Sequence, residues 1–426
     1  MNRHINLPEE PDPPHQAGVP TSVRAEMSTG RLRIAAVLSH PIQHFCPLFA
    51  SWAQSGAIDL RVYFASRAGV DAYFDPNFGR AISWSGLQLD RFDHRFVNGT
   101  SSPAIDPWLD APSLGDLLSE QDPAAVITFG YSQRLQLRAQ RWAIANRRAL
   151  IFFSDSELRQ RRPLWRRIAK QFVVRRLLSR ADYFIVTGNA NEAYYRHYGV
   201  DDIKFIRGSY PIDRENCERA FRTRCALRNA IRERLGIREG QVAFTTIGKL
   251  VPWKRQADLI EAISRLPHGV AVALLIGTGR MKDRWERLAR EKAPGRTIFT
   301  GFVPPHELPE YLAASDVYVH CSEREPHSVA ISEAVFMGLP VVASDRCGSY
   351  GTDDDVRHGI NGFVYPCANV GALSSVMDRL VRNRQCLAGM GDRSREIGAR
   401  QQAVTHERLP FVLAQLCSQD FLPRNR

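Results

Sequence analysis

Two glutamates eight residues apart, Glu325 and Glu333, are the residues best placed in this sequence to do chemistry together. Glu325 follows an apolar run at 317–320, and a helical pattern at 329–338 carries Glu333. A helix N-terminus offers unbonded N–H groups and a partial positive charge, a natural seat for a diphosphate. His327, Ser328 and Val329 would form that seat, with Ser328 as the side-chain cap. Glu333, about a turn further in, could accept hydrogen bonds from a ribose diol. Taken alone, the pair reads equally well as a loop glutamate and an exposed helical one. Upstream, Gly248-Lys249-Leu250 closes the apolar run 242–247, and Lys254 opens the following helix. A glycine lets backbone approach a phosphate, and two ammonium groups supply counter-charge. Singly, Lys249 and Lys254 also suit solvated surface positions. Gly277-Thr278-Gly279 is a tight turn after the run 270–276. In the first half, His40 and His44 flank Pro41 after the first apolar run and are candidates for acceptor or phosphate contact; polar loop residues are the alternative. Asp155 follows another such run and is not counted among the site residues.

Such residues need a scaffold that gathers strand ends. Short apolar runs at 34–38, 58–64, 125–129, 149–153 and 183–187 are each followed by a helical stretch, the signature of a parallel sheet buried on both faces. The rhythm breaks over 210–236, read as a connection, and resumes with strands at 242–247, 270–276, 297–300, 317–320 and 340–343. Helices fall near 254–266, 281–293, 306–314 and 329–338, and two close the chain at 370–400 and 405–418. The pattern predicts an α/β protein with two Rossmann-like domains facing a central cleft. Ligands of such sheets bind beyond the carboxyl ends of the strands. The expected division is a Pro-rich disordered leader at 1–30, an N-terminal domain at 31–210, a C-terminal donor domain at 211–405, and a closing helix and tail at 406–426.

The 426 residues suit two domains, and 44% hydrophobic with 24% charged residues describes a folded chain. The eight cysteines show no CxxC pair or metal-ligand spacing, so they read as buried or partly buried thiols of a reducing compartment. No run approaches the length of a membrane span, and the expected location is cytoplasmic. The net charge of +12 calls for anionic partners. From Arg159 to Arg180 nine basic residues occur without an acid. Leu164, Trp165, Ile168, Ala169 and Phe172 would share one helix side, either packed on the core or docked on an anionic membrane leaflet. No motif for nucleic acid is present, and that partner class is set aside.

The ordered set Gly248-Lys249-Leu250, Lys254, Gly277-Thr278-Gly279, Gly301-Phe302-Val303, Ser315-Asp316-Val317, Glu325-x7-Glu333-Ala334, Gly338-Leu339-Pro340-Val341 and Asn361-Gly362 resembles the family 4 retaining glycosyltransferases of the GT-B fold. The likeness spans 242–366. Ser39-His40-Pro41-Ile42-Gln43-His44 and Asp75-Pro76-Asn77-Phe78-Gly79, with Trp84, resemble a bacterial branch more loosely. The resemblance implies that Lys249 and Lys254 hold a donor diphosphate, with Gly248, Gly277 and the His327-Ser328-Val329 backbone against it. Glu333 would hold the ribose and Glu325 would lie beside the transferred sugar. It implies a terminal helix after His406 that crosses back to the first domain. No cofactor is implied beyond a UDP- or GDP-sugar donor, and no metal; Asp353-Asp354-Asp355 reads as a solvated loop. Two departures stand out: Lys249 where Arg is common, and His327-Ser328 where an aromatic and glycine are common. The expectation is a retaining enzyme passing sugar to a saccharide or lipid-linked acceptor in surface polysaccharide synthesis, at the inner face of the membrane. The alternatives are a silent nucleotide-sugar-binding relative and a basic-surface binding protein.

Overall fold

The computed structural model describes residues 31–75, 77–101, 103–159 and 164–419, without side chains for 164–170 and 419. The leader assigned to 1–30 lies outside the described residues. The strands are β1 Leu32–Leu38, β2 Ile58–Phe64, β3 Tyr73–Asp75, β4 Arg80–Ile82, β5 Asp93–Phe96, β6 Ala125–Thr128, β7 Ala149–Phe153, β8 Tyr183–Val186, β9 Phe205–Arg207, β10 Val242–Ile247, β11 Ala271–Ile276, β12 Thr297–Gly301, β13 Val317–His320, β14 Val341–Ser344 and β15 Gly362–Tyr365. The helices are α1 Phe45–Gln54, α2 Leu114–Gln121, α3 Arg134–Ala145, α4 Leu164–Leu178, α5 Asn189–His197, α6 Arg214–Arg222, α7 Arg224–Leu235, α8 Gln256–Ser264, α9 Lys282–Lys292, α10 Leu308–Ala314, α11 Val329–Phe336, α12 Val370–Arg382, α13 Gln385–Ala403 and α14 Leu409–Gln419.

Two parallel sheets result, in the orders β5-β2-β1-β6-β7-β8-β9 and β12-β11-β10-β13-β14-β15; β3 and β4 form a separate hairpin. The central strands of both main sheets are buried on two faces because their runs are mainly apolar, whereas the edge strand β5 is partly exposed. In β1, Ile34, Ala36 and Leu38 enter one core while Ala35 and Val37 enter the other. In β14, Val341 and Ala343 face one side of the second sheet and Val342 the opposite one. The two-residue period of a strand makes this division automatic.

The chain passes between the sheets twice, and the two crossings bond to each other. After β9, the Ser209 amide donates to Thr405 Oγ1 (2.7 Å), and Gln402 Nε2 donates to the Tyr210 carbonyl (2.9 Å). Val404–Arg408 widens into one π-helical turn between α13 and α14. Trp52 Nε1 of α1 donates to the Thr405 carbonyl (2.9 Å), and Leu409, Leu413 and Cys417 then pack into the first sheet's core. The closing helix therefore crosses back, as expected.

The structure departs from the sequence reading in several places. The segment 210–236 is mostly helical, α6 and α7, with α7 packed on α10. The helix expected over 370–400 is two helices, broken at 383–384. Lys254 lies in a 3-10 turn ahead of α8, not in the helix. The hairpin and the short edge strands β5 and β9 were not foreseen. Phe172 is 75% exposed and Val173 68%, while Val174 and Leu178 carry the buried side of α4. The side chains at 164–170 lie outside the described residues. Among the thiols, Cys225 is exposed. Among the described residues no helix is long and apolar enough to cross a membrane.

Candidate functional site

The site assembles where β10, β11 and β13 end. Gly248 sits at φ +145°, and a Cβ built on it would meet only open space. At Gly277, φ +137°, a Cβ would lie 2.1 Å from the Gly248 carbonyl oxygen. Glycine is required there because two strand-end loops meet backbone to backbone. The approach aims the Lys249 and Lys254 loop over the β10 end.

Both lysines are engaged. Lys249 Nζ donates to Asp75 Oδ2 (2.8 Å), carried by the hairpin beside the first sheet, and lies 4.6 Å from the Phe78 ring centre. Burial alone would raise the Asp75 carboxyl, but Lys249 and the Asn77 and Phe78 amides bring it below its ordinary value. Lys254 pairs with Glu325. Glu325 also faces His320 Nε2 (3.2 Å) and accepts from Ser322 Oγ (3.2 Å). Burial opposes its charge, yet Lys254 and His320 hold its carboxyl at about 2. It is an anion at any physiological pH.

Helix α11 begins just beyond. Ser328 occupies the N-cap position, but its side chain makes no capping bond; instead its amide donates to Ser349 Oγ (2.9 Å). The expected Ser328 cap is thus absent. The first intrahelical bond runs from the Ile331 amide to the Ser328 carbonyl (3.0 Å), so the amides of Val329 and Ala330 precede the ladder. His327 is buried: Nε2 lies 3.2 Å from Asp355 Oδ2 and 3.1 Å from Ser332 Oγ, and its ring stacks on Tyr210 at 4.9 Å. Its side chain therefore locks the loop, leaving backbone to face the cleft.

Asp353-Asp354-Asp355 corrects the reading of a solvated loop: Asp354 and Asp355 are 1% and 2% exposed. Asp355 accepts from Ser332 Oγ (2.7 Å) beside His327. Asp354 reaches the first-sheet side, meeting Arg207 (2.9 Å) and the Asn189 amide (2.9 Å). Burial holds the Asp354 carboxyl up at about 6 despite Arg207. Carboxylates can sit inside because each faces a donor.

Glu333 differs from Glu325. It is half-buried with no cation paired to it among the described residues, and burial, with Asp213 adding repulsion, raises its carboxyl to about 8. One carboxyl of the pair is charged at pH 7 and the other mostly neutral, a separation set by environment.

Across the cleft, His40 and His44 are held neutral. Burial lowers His40 to about 4; burial, His40 and His327 lower His44 to about 3. His40 Nδ1 meets Ser39 Oγ at 2.8 Å, and the His44 ring lies 5.1 Å from Tyr210. Neither can attract phosphate by charge at neutral pH. Sequence reasoning passed over Asp155. It lies in a cavity of about 440 Å³ lined by Phe45, Phe129, Tyr131, Phe153 and Tyr210. Burial raises its carboxyl, and His327 partly offsets this. Its position two residues past β7, near a strand's carboxyl end, made it the weaker candidate that the sequence reading named and left out of the site.

These features define a class: two Rossmann-like sheets about a cleft, closed by a helix that returns to the first, which is the GT-B fold. Residues 228–397 match the glycosyl transferases group 1 family. The lipopolysaccharide core biosynthesis glycosyltransferase LpsE of Rhizobium meliloti is 31% identical over 152 residues, 35% of this chain and 43% of that protein. A GDP-mannose-dependent alpha-mannosyltransferase of Mycobacterium tuberculosis is 31% identical over 121 residues, 28% of this chain and 30% of that protein. The chain thus spans less than half the length of these curated relatives. Among solved structures, Anabaena HepE in complex with UDP-glucose superposes with a TM-score of 0.67 at 18% identity, covering 91% of this chain and 100% of that one. That likeness concerns the fold.

Proposed function

We propose that the protein is a retaining glycosyltransferase that moves a sugar from a UDP- or GDP-sugar to a saccharide or lipid-linked acceptor. The observation that carries the reading is the convergence of Lys249, Lys254, Glu325 and the open N-terminus of α11 at the ends of β10 and β13. In this reading 211–405 is the donor domain and 31–210 the acceptor domain. The diphosphate lies on Lys249, Lys254, Gly248, Gly277 and the amides of His327 and Val329, the Ser328 amide being taken by Ser349 Oγ. Glu333 takes the ribose, and Glu325 takes hydroxyls of the transferred sugar. The acceptor enters the aromatic slot beside Asp155, with His40 and His44 as neutral hydrogen-bonding walls.

The transfer is a front-face displacement. The bond from the anomeric carbon to the diphosphate oxygen breaks, and the acceptor oxygen bonds that carbon on the same face. The acceptor proton passes to the departing diphosphate. Lys254 and Lys249 stabilise charge that grows on the leaving group, which lowers the barrier more than it tightens binding. A location at the inner membrane face draws support from exposed Phe172 and Val173 beside Arg175, Arg176 and Arg180 on and just after α4. The lipopolysaccharide core role of the relative LpsE supports a surface-polysaccharide context.

The test supplies UDP-glucose and GDP-mannose with a saccharide panel and follows nucleoside diphosphate release, then product configuration by NMR. The reading expects acceptor-dependent release with the donor's anomeric configuration retained, lost in Glu325→Gln while nucleotide binding persists. Nucleotide-sugar binding without turnover on any acceptor would favour the silent relative; an inverted product would overturn the mechanism.

A further inference from the structure

A second cavity, about 650 Å³, lies outside the cleft between α2 and α3. Arg134, Arg138 and Arg141 line it from one face of α3, together with Trp142. Spacings of four and three residues place these guanidiniums in a row. The lining holds one carboxylate, Asp110, and Arg138 takes it with two bonds of 2.8 and 2.7 Å. Three cations against one anion leave the wall positive. Arg134 is also the first residue of α3, whose first turn holds no acid, so its charge opposes the helix dipole. Like charges four apart and a cation at a helix N-terminus both disfavour the helix by a few tenths of a kcal/mol or more. Arg138 is compensated by Asp110, whereas Arg134 and Arg141 have no anion in the lining; an anion seated beside them would supply one.

An exposed aromatic ring stands beside the cavity, against Arg134. Trp108 is 68% exposed, and the Arg134 guanidinium lies 4.5 Å from its ring centre. The loop that carries Trp108 is tied to α3: the Arg134 amide donates to the Pro107 carbonyl (3.1 Å), and the Leu135 amide to the Leu109 carbonyl (2.9 Å). Gln133 Nε2 adds a bond to the Asp106 carbonyl (3.2 Å). A large exposed ring on a fixed loop is a preorganised stacking platform. Gly130, Tyr131 and Ser132 line the aromatic slot beside Asp155, and Arg134 follows two residues later. One turn of chain therefore joins slot and ledge.

We propose that this ledge binds the distal part of the acceptor, and that this part is an anionic saccharide bearing carboxylate or phosphate groups. This rests on the glycosyltransferase reading and deepens it. Arginine forks match both groups in bidentate geometry, and the Trp108 face suits the apolar face of a sugar ring. A neutral glycan would leave Arg134 and Arg141 without anions.

The test titrates the full chain with a hyaluronan tetrasaccharide (carboxylate), trehalose 6-phosphate (phosphate) and neutral maltotetraose, with UDP-glucose titrated in parallel. The proposal expects an anionic probe to bind at least about tenfold more tightly than maltotetraose, with affinity falling as salt rises. Whichever anionic probe is preferred names the group. Arg134→Ala with Arg141→Ala should lose at least about tenfold, and the paired Lys variants should lose less. Trp108→Ala should weaken the saccharides and leave UDP-glucose affinity unchanged. Equal affinity for neutral and anionic probes, or an unaffected double Ala variant of normal Tm, would overturn the ledge. A uridine hexanucleotide outcompeting the tetrasaccharide would also overturn it, in favour of a nucleic-acid surface. Failure of these arms with UDP-glucose binding intact would leave the glycosyltransferase reading standing; absence of UDP-glucose and GDP-mannose binding would remove the reading beneath it.

Discussion

Glu333 offers a proton-linked test of the ribose assignment. Its carboxyl ionises near 8 in the folded protein, against an ordinary value of 4.5, because burial and Asp213 disfavour its charge. At pH 7 about one molecule in eleven is ionised, so a ligand that requires the carboxylate forgoes about 1.4 kcal/mol; at pH 9 that cost is nearly gone. Donor affinity should therefore tighten about tenfold between pH 7 and pH 9 and level off above about 9. Calorimetry with UDP-glucose or GDP-mannose is suited to this, because the diphosphate in these diesters does not titrate in the window. Repeating it in buffers of different ionisation enthalpy should show close to one proton released per donor bound at pH 7. Glu333→Gln should flatten the profile and abolish the proton release. The sign for stability is the reverse. An acid with a raised folded pKa is penalised once the unfolded chain can ionise, so stability should fall as pH rises from 4.5 toward 8. The half-exposed position makes that slope smaller than the full linkage value. Equal donor affinity at pH 7 and pH 9 with no proton released would refute the assignment.

Three further outcomes follow from the same geometry. Lys254→Ala should cut kcat by about a hundredfold with little change in KM, since charge on the leaving group is met mainly in the transition state. It should also lower Tm, because Glu325 would remain buried without its cation, a loss of about 3 kcal/mol. Asp75→Asn should tighten UDP several-fold in calorimetry, because it removes the carboxylate that occupies Lys249; unchanged or weaker binding would mean that the pair persists beside the ligand. Gly277→Ala should abolish nucleotide binding and lower Tm, since its Cβ would fall 2.1 Å from the Gly248 oxygen; a variant of wild-type affinity would show that this close approach does not shape the site.

What the sequence made legible was local. Apolar runs such as 242–247 announced strands because a two-sided parallel sheet needs unbroken apolar stretches. Gly248 and Glu325 stood out because they follow such runs directly. What escaped depends on distant partners. Asp354 and Asp355 carry the charges of a surface loop and are buried only because Arg207, the Asn189 amide and the His327–Ser332 pair meet them. Helical spacing assigns Phe172 to an apolar face, yet Val174 and Leu178 supply the buried side. The pairing of Lys249 with Asp75 joins residues 174 positions apart and has no local signature. The neutrality of His40 and His44 likewise comes from burial among elements that sequence order does not bring together.

The most direct measurement is the thermal stability of the full chain with UDP, GDP and their sugar conjugates, alongside Glu333→Ala and Gly277→Ala. Ligand at a hundredfold over its Kd should raise the stability by about 2.7 kcal/mol. The account predicts such a rise with one base, lost in both variants. A cooperative melt that no nucleotide moves, or a rise that both variants keep, would contradict a donor site at the ends of β10 and β13.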